Sequence, residues 1–150
     1  AAIEKRGFNV VVDAVNSSGG VAVPMLLDAL GVTKRTLLNC EPTGVFAHNP
    51  EPLPQHLVQI SSEIEKGRYD LGIVVDPDVD RLAFVCEDGG MFGEEYTLVA
   101  VADYVLSKQP GGNTVSNLSS TRALRDVTEK YGGKYFAAAV GEVNVVTAMK

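Results

Sequence analysis

Residues 72–85 read Gly-Ile-Val-Val-Asp-Pro-Asp-Val-Asp-Arg-Leu-Ala-Phe-Val. One apolar run stands before the acidic part and a second follows it, and such runs are typical of buried strands. A connection this short joins antiparallel neighbours, because parallel strands need a crossover of about a dozen residues or more. The stretch therefore predicts strands over residues 71–75 and 82–86, joined by a tight acidic loop.

Three aspartates, Asp76, Asp78 and Asp80, occupy alternate positions of this loop, and Arg81 follows the third. Clustered negative charges repel one another and destabilise a fold unless a cation compensates them. A set of ligands made only of oxygen suits a hard divalent ion, above all Mg²⁺. The loop is therefore predicted to hold Mg²⁺, with Arg81 available to bind a phosphate or to organise the carboxylates.

Strand and helix signals alternate on the amino-terminal side of this loop. Apolar residues at 8–15 are typical of a buried parallel strand, and residues 35–39 form a second short strand. Helical spacing covers residues 21–30, and a second helix opens at Pro54 and closes at Gly67. The order β-α-β-α-β-β predicts an α/β fold: a mixed, mostly parallel sheet with flanking helices and a final antiparallel strand.

The turn at residues 87–90, Glu-Asp-Gly-Gly, separates this unit from a second one that also alternates helices and strands. We therefore predict a metal-loop α/β domain at 1–88 and an incomplete α/β domain at 89–150. The last helical pattern opens at Gly141 and is still running at residue 150. The chain is accordingly expected to be a fragment of a longer protein.

Composition and charge exclude several classes of protein. Of the 150 residues 45% are hydrophobic and 21% charged, which is enough for a buried core. A net charge of −6 with scattered basic residues argues against nucleic-acid binding, and no apolar run is long enough to span a membrane. Cys40 and Cys86 lack partners at metal-ligand spacing and are predicted to be buried, reduced thiols of a cytoplasmic protein.

Several interpretations of the acidic loop compete. An EF-hand calcium loop needs a glycine for its sharp turn at the position where Arg81 stands. A phosphatase of the haloacid-dehalogenase type would use Asp76 as nucleophile and Asp78 as acid/base. That motif usually follows a first strand, and it gives no role to Asp80 or Arg81.

Three further interpretations are a solvated acidic turn without a ligand, a non-catalytic metal-binding module, and a Mg²⁺ site for phosphoryl transfer. Alternate acids in a tight turn can direct three carboxylates at one ion and leave positions free for a phosphate oxygen. Phosphoryl transfer depends above all on charge neutralisation and positioning, which such a loop provides. The residues alone leave the solvated turn, the phosphatase, the non-catalytic module and phosphoryl transfer open.

Four segments, taken in order, resemble the α-D-phosphohexomutases, a family that includes phosphomannomutase/phosphoglucomutase and phosphoglucosamine mutase. Residues 76–82 resemble the Asp-x-Asp-Gly-Asp-Arg metal loop of that family, and this match is the most specific. Residues 11–20 resemble the strand and turn that open the second domain, and residues 44–52 the loop after its second strand. Residues 140–149 resemble a late segment of the third domain.

The resemblance implies an enzyme that interconverts hexose 1-phosphate and hexose 6-phosphate through a phosphoserine and a bisphosphate intermediate. It implies that Asp76, Asp78 and Asp80 ligate Mg²⁺ and that Arg81 is catalytic, beside the phosphoserine or the transferring phosphate. The implied partners are a hexose phosphate and flanking domains of the same chain. The isolated chain is expected to be inactive, because the phosphoserine and the sugar-reading loop are absent, and the preferred hexose is not readable.

Departures from the family pattern bear on the site. Val79 stands where the family has glycine, and a β-branched residue is strained wherever φ must be positive. The loop is therefore expected to hold an ordinary conformation at Val79, or else the metal geometry is altered. Residues 46–50 resemble the phosphoserine motif without its serine, so His48 is interpreted as a satisfied loop histidine rather than a catalyst. Ser17 and Ser18 occupy turn positions and are not nominated as nucleophiles.

Overall fold

The computed structural model describes residues 2–150, which fall into two units divided between Glu94 and Glu95. The elements up to the acidic loop and its hairpin are α1 (Ala2–Arg6), β1 (Asn9–Asp13), α2 (Gly19–Ala29), β2 (Lys34–Leu38), a 3₁₀ turn (Pro54–His56), α3 (Val58–Lys66), β3 (Leu71–Val75) and β4 (Leu82–Val85). They are followed by α4 (Glu94–Lys108), β5 (Thr114–Asn117), α5 (Ala123–Lys130), β6 (Tyr135–Ala138) and α6 (Glu142–Met149).

The first unit contains a four-stranded sheet in the order β2-β1-β3-β4. Strand β1 pairs in parallel with β2 and with β3, whereas β4 pairs antiparallel with β3. The last pair of that hairpin is Val75 with Leu82, so the acidic loop occupies the six residues between them. The predicted α/β fold class is confirmed, including the mostly parallel sheet and its final antiparallel strand.

Strand β1 is buried on both faces, which explains why its sequence is a continuous apolar run rather than an alternating one. Val10 and Val12 pack with Leu27 of α2 in one cluster. Val11 points to the opposite face and packs with Ile60 of α3 in a second cluster. Because burying one such side chain contributes roughly 1.5–3 kcal/mol, these two apolar layers dominate the stability of the unit.

The strand order places a switch point at the carboxyl ends of β1 and β3. From β1 the chain first passes to β2 on one side and then returns to β3 on the other, so the connections diverge at this edge. In open α/β sheets, ligands bind outside the carboxyl ends of the strands at such a point. Asp13 ends β1 and Asp76 follows β3, and both side chains are buried.

Helix α2 begins at Gly19, two residues earlier than the sequence predicts, because two glycines let its first turn press against the sheet. A Cβ on Gly19 would lie 2.4 Å from Val75 Cγ2, and one on Gly20 would lie 2.2 Å from the Cys40 carbonyl oxygen. The earlier start leaves Pro24 inside the helix. Helix α1 was not predicted from the sequence, since five residues are too few to show a helical period.

The second unit holds a parallel pair, β5 and β6, with helices α4, α5 and α6. Thr128 of α5 is fully buried; its hydroxyl donates to the Leu124 carbonyl at 2.7 Å and lies 2.6 Å from Thr114 Oγ1 of β5. The domain boundary after residue 88 stays a prediction; Met91 packs against the core of the first unit. No helix within residues 2–150 is long and apolar enough to cross a membrane.

Candidate metal centre

The acidic loop is organised by its own backbone. The Val79 N–H donates to the Asp76 carbonyl at 3.2 Å, which closes a turn with Pro77 in its second position, where the fixed φ of proline fits. The Arg81 N–H donates to Asp76 Oδ1 at 3.2 Å. The Asp76 carboxylate is therefore held in place by the far end of the loop that it begins.

The loop brings the three predicted metal ligands together. Asp76, Asp78 and Asp80 each place one carboxylate oxygen so that the three atoms lie within 4.8 Å of one another. In an octahedral site with Mg–O bonds of about 2.1 Å, ligand oxygens are separated by about 3 to 4.2 Å. The donor atoms and their spacing therefore fit a single Mg²⁺ after a small contraction. Asp76 is 7% exposed, whereas the other two are open to solvent.

The neighbouring carboxyl groups of the loop raise the pKa of Asp80 above its ordinary value. A hydrogen bond with Asp76 is the largest cause, and the negative charges of Asp76 and Asp78 add to it. When the pKa of a carboxyl is higher in the folded than in the unfolded state, the folded state binds the proton more tightly. The free energy of unfolding then increases as the pH falls through that pKa. Full ionisation of the three carboxylates is therefore unfavourable in the metal-free loop, and a bound cation would offset their negative charge.

Arg81 lies at the end of the loop with its guanidinium half exposed. Its Nη1 atom is 3.9 Å from Glu51 Oε1, and both side chains are open to solvent. An ion pair this exposed contributes little to stability, because water screens it. The guanidinium therefore remains free to exchange Glu51 for a phosphate, whose oxygens fit its paired N–H donors.

Val79 has a φ of +63°, so the position that is glycine in the family pattern does adopt the left-handed conformation. Of the two alternatives expected for this loop, the ordinary conformation at Val79 is therefore wrong. The hydrogen bonds at both ends of the loop hold this residue in a region that costs an L-residue roughly 1–2 kcal/mol. The bend is needed to turn the chain from β3 into β4 within six residues.

Val79→Gly is expected to raise the free energy of unfolding of the metal-free chain by about 1 kcal/mol. Glycine adopts a positive φ without the Cβ penalty, and this gain exceeds the cost of its greater freedom in the unfolded chain. Urea denaturation measures the difference. The control is Val45→Gly, an exposed loop valine without a positive φ, for which stability falls or stays unchanged. A matching decrease for Val79→Gly would contradict the strain at this site.

The turn between β1 and α2 contacts the acidic loop, which sequence reasoning missed. The hydroxyls of Ser17 and Ser18 donate to the Pro77 carbonyl at 2.7 and 2.8 Å. The signal that could have revealed the contact is topological. The carboxyl ends of β1 and β3 are neighbours in the sheet, so the segments that follow these strands must meet.

A buried polar network lies beside this turn and is centred on Asp13, which is 1% exposed. Its Oδ1 accepts from the Val15 N–H at 3.1 Å, and its Oδ2 accepts from Asn39 Nδ2 at 3.0 Å. His48 Nε2 lies 3.2 Å from the same Oδ2, and His48 Nδ1 lies 2.8 Å from the Asn49 carbonyl. Each ring nitrogen of His48 thus lies beside an acceptor oxygen of the protein, and His48 is held within the loop by these contacts.

Cys40 and Cys86 are free thiols, and both are half-buried rather than fully buried as predicted. Burial raises the pKa of Cys40 to about 11, and the negative charge of Asp13 adds to this effect. The Cys40 thiol lies 3.1 Å from the Leu38 carbonyl, to which it donates. Because the thiolate is the reactive form, Cys40 is a packing residue and not a nucleophile.

Each of the two units matches a known family of protein domains. Residues 1–90 match the family described as phosphoglucomutase/phosphomannomutase, alpha/beta/alpha domain II. Residues 93–150 match the phosphoglucomutase/phosphomannomutase alpha/beta/alpha domain III. These matches are the second and third domains to which the sequence motifs point.

Individual relatives agree with these matches. A phosphoglucomutase/phosphomannomutase from Thermococcus kodakarensis is 35% identical over 149 residues, which are 99% of this chain and 32% of that relative. A phosphoglucomutase from Neisseria gonorrhoeae is 32% identical over 148 residues, 97% of this chain and 32% of that relative. The chain thus spans about a third of the length of these relatives.

A solved structure shows the same arrangement of elements. The crystal structure of a phosphoglucomutase/phosphomannomutase family protein from Burkholderia thailandensis matches with a TM-score of 0.84 at 29% identity. The match covers 95% of this chain and 31% of that one. Sequence motifs, strand order and comparisons therefore agree, and this chain belongs to the phosphoglucomutase/phosphomannomutase family.

Proposed function

We propose that this chain provides the Mg²⁺-binding loop of a phosphohexomutase, which interconverts hexose 1-phosphate and hexose 6-phosphate through a phosphoserine and a bisphosphate intermediate. Asp76, Asp78 and Asp80 hold the Mg²⁺ ion, and Arg81 is the catalytic residue beside the transferring phosphate. The observation that carries the proposal is the convergence of three carboxylate oxygens within 4.8 Å, at the loop that resembles the metal loop of the family.

The residues of the loop have distinct tasks in this proposal. Bound Mg²⁺ supplies positive charge that neutralises the oxygens of a phosphoryl group. Asp76 anchors the site, because its carboxylate is buried and fixed by the Arg81 N–H. Asp78 and Asp80 are exposed and complete the ligand set from the solvent side. Arg81 presents paired N–H donors to the phosphate, a geometry that also fixes its orientation.

The complete reaction needs groups beyond these residues. The chain spans about a third of its relatives, so we assign to it the metal loop and part of a cleft whose other parts come from flanking domains of the same polypeptide. Hexose phosphate is the proposed substrate of that assembly, and the 150-residue chain alone is not expected to isomerise it. The free thiols Cys40 and Cys86 support a cytoplasmic, reducing location.

An isomerisation assay tests this function. A longer polypeptide with these residues and the flanking family domains is given glucose, mannose or glucosamine 1-phosphate, with Mg²⁺ and a trace of hexose bisphosphate. We expect formation of the 6-phosphate of at least one sugar, lost in EDTA and restored by Mg²⁺. Arg81→Lys is expected to lower kcat by about 100-fold, because lysine lacks the paired donors that stabilise the transferring group.

The control for that substitution is Arg68→Lys, at an exposed arginine away from the acidic loop, which is expected to leave kcat unchanged. Release of inorganic phosphate without isomerisation would contradict the proposal. That result would instead favour phosphatase chemistry with Asp76 as the nucleophile.

A further inference from the structure

One backbone oxygen, the Pro77 carbonyl, fastens the acidic loop to the turn between β1 and α2. Ser17 Oγ donates to this oxygen at 2.7 Å and Ser18 Oγ at 2.8 Å. Pro77 stands between Asp76 and Asp78. A contact that holds its carbonyl therefore holds the peptide that joins two of the three convergent carboxylates.

The two hydroxyls start from a fixed backbone. The Ser17 N–H donates to the Ala14 carbonyl at 2.9 Å, and the Ser17 carbonyl accepts from the Gly20 N–H at 2.9 Å. The Ser18 carbonyl accepts from the Ala22 N–H at 3.2 Å, which is the first turn of α2. Because the serines are tied to the end of β1 and the start of α2, their hydroxyls hold the loop against the body of the domain.

Ser18 departs from the usual behaviour of a residue at its position. It is the N-cap of α2, where a serine oxygen normally accepts from a backbone N–H of the first helical turn and stabilises the helix. Its side chain makes no capping hydrogen bond, and its hydroxyl lies on the Pro77 carbonyl instead. The contact to the loop thus replaces a contact that would serve the helix alone.

The loop needs such a restraint because Val79 is held at a φ of +63°. Strained backbone persists only where its surroundings over-determine it. Gly19, which follows the two serines, lies against the end of β3, where an added Cβ would be 2.4 Å from Val75 Cγ2, and beside the loop, where it would be 3.5 Å from Val79 Cγ2. The turn therefore lies beside the strained residue as well as bonding to Pro77.

We infer that Ser17 and Ser18 are positioning residues for the metal loop. Their hydroxyls hold the Pro77 carbonyl and keep the segment 76–80 in the strained conformation that brings its carboxylates together. This inference rests on the proposed function, because it concerns the same site. It adds a role for residues that lie outside the loop and on another element of the sheet.

The test compares the wild-type chain with the Ser17→Ala/Ser18→Ala variant. Two lost hydrogen bonds are expected to weaken Mg²⁺ binding by about tenfold in calorimetry. In the metal-free chain, hydrogen exchange of the Val79 and Arg81 amides is expected to quicken by about tenfold, because both donate within the loop. Exchange of the β1 amides is expected to stay unchanged. If the serines only stabilised the fold as a whole, their loss would quicken exchange in β1 as well.

Conservative substitution provides the matched control. Ser18→Thr keeps the hydroxyl at an exposed position and is expected to retain wild-type exchange and metal affinity. If the double alanine variant fails to fold, each single alanine variant retains one hydroxyl on the carbonyl and is expected to quicken loop exchange by about threefold.

The outcomes separate the inference from the proposed function. Wild-type rates at Val79 and Arg81 in the alanine variants would overturn the inference, whether or not metal binds. A wild-type chain that binds no Mg²⁺ would contradict the proposed function. In that case the exchange rates would still show whether the two serine hydroxyls restrain the loop.

Discussion

Asp13→Ala is expected to lower the free energy of unfolding of this chain by about 3 kcal/mol. The Asp13 carboxylate is 1% exposed, accepts hydrogen bonds from the Val15 N–H and Asn39 Nδ2, and lies 3.2 Å from His48 Nε2. Alanine removes the acceptor of the buried Val15 N–H, and a buried donor without a partner costs its full desolvation penalty, whereas Asn39 Nδ2 keeps Gln59 Oε1 at 3.0 Å. The loss therefore exceeds the small net value of the individual hydrogen bonds.

The network around Asp13 also restrains backbone that is strained. Val15, Asn16 and Asn39 are three of the four non-glycine residues with positive φ in the described part of the chain, and the fourth is Val79. The Asn16 N–H donates to the Asn39 carbonyl at 2.6 Å, which joins the ends of β1 and β2. Loss of Asp13 thus removes one restraint each from Val15 and Asn39 in this strained backbone.

Urea denaturation at neutral pH measures the change, with Asp28→Ala as the control. Asp28 makes an ion pair with Arg35 on the surface, and its side chain is 58% exposed. Such pairs contribute little because solvent screens them, so the control is expected to lose far less stability than Asp13→Ala. Similar losses in the two variants would contradict the role of the buried network.

The hairpin and the sheet are predictable from the sequence because they follow from local rules. The apolar runs at 71–75 and 82–86 and the short connection between them permit only antiparallel pairing, and β3 and β4 pair in this way. The continuous apolar run at 8–15 indicates burial on both faces, and β1 is covered by α2 and α3. Periodicity and connection length therefore suffice for the architecture.

The details of the site depend on contacts between distant segments, which no local pattern reveals. Ser17 and Ser18 reach Pro77 only because β1 and β3 are neighbours, and the sequence alone does not state that order. The positive φ of Val79 opposes the preference of a β-branched residue, so local propensity predicts the wrong conformation. Tertiary contacts decide such positions.

Asp78→Asn is expected to weaken Mg²⁺ binding by about 100-fold or more. Removing a group that only supports a metal ligand lowers metal affinity by about 10–100-fold, and Asp78 is proposed as a ligand itself. The substitution also removes one of the negative charges that raise the pKa of Asp80. The metal-free variant is therefore expected to unfold at the same or a higher temperature than the wild-type chain, which distinguishes loss of a ligand from loss of the fold.

Calorimetric titration of Mg²⁺ into this chain, alongside its Asp78→Asn and Glu87→Gln variants, tests the metal loop most directly. Glu87 is an exposed acid beyond the other end of β4, so its substitution removes the same charge away from the loop. The proposed site predicts that the wild-type chain and Glu87→Gln bind one ion with equal affinity, and that Asp78→Asn binds about 100-fold more weakly. Equal affinity in all three chains, or no binding to the wild-type chain, would contradict it.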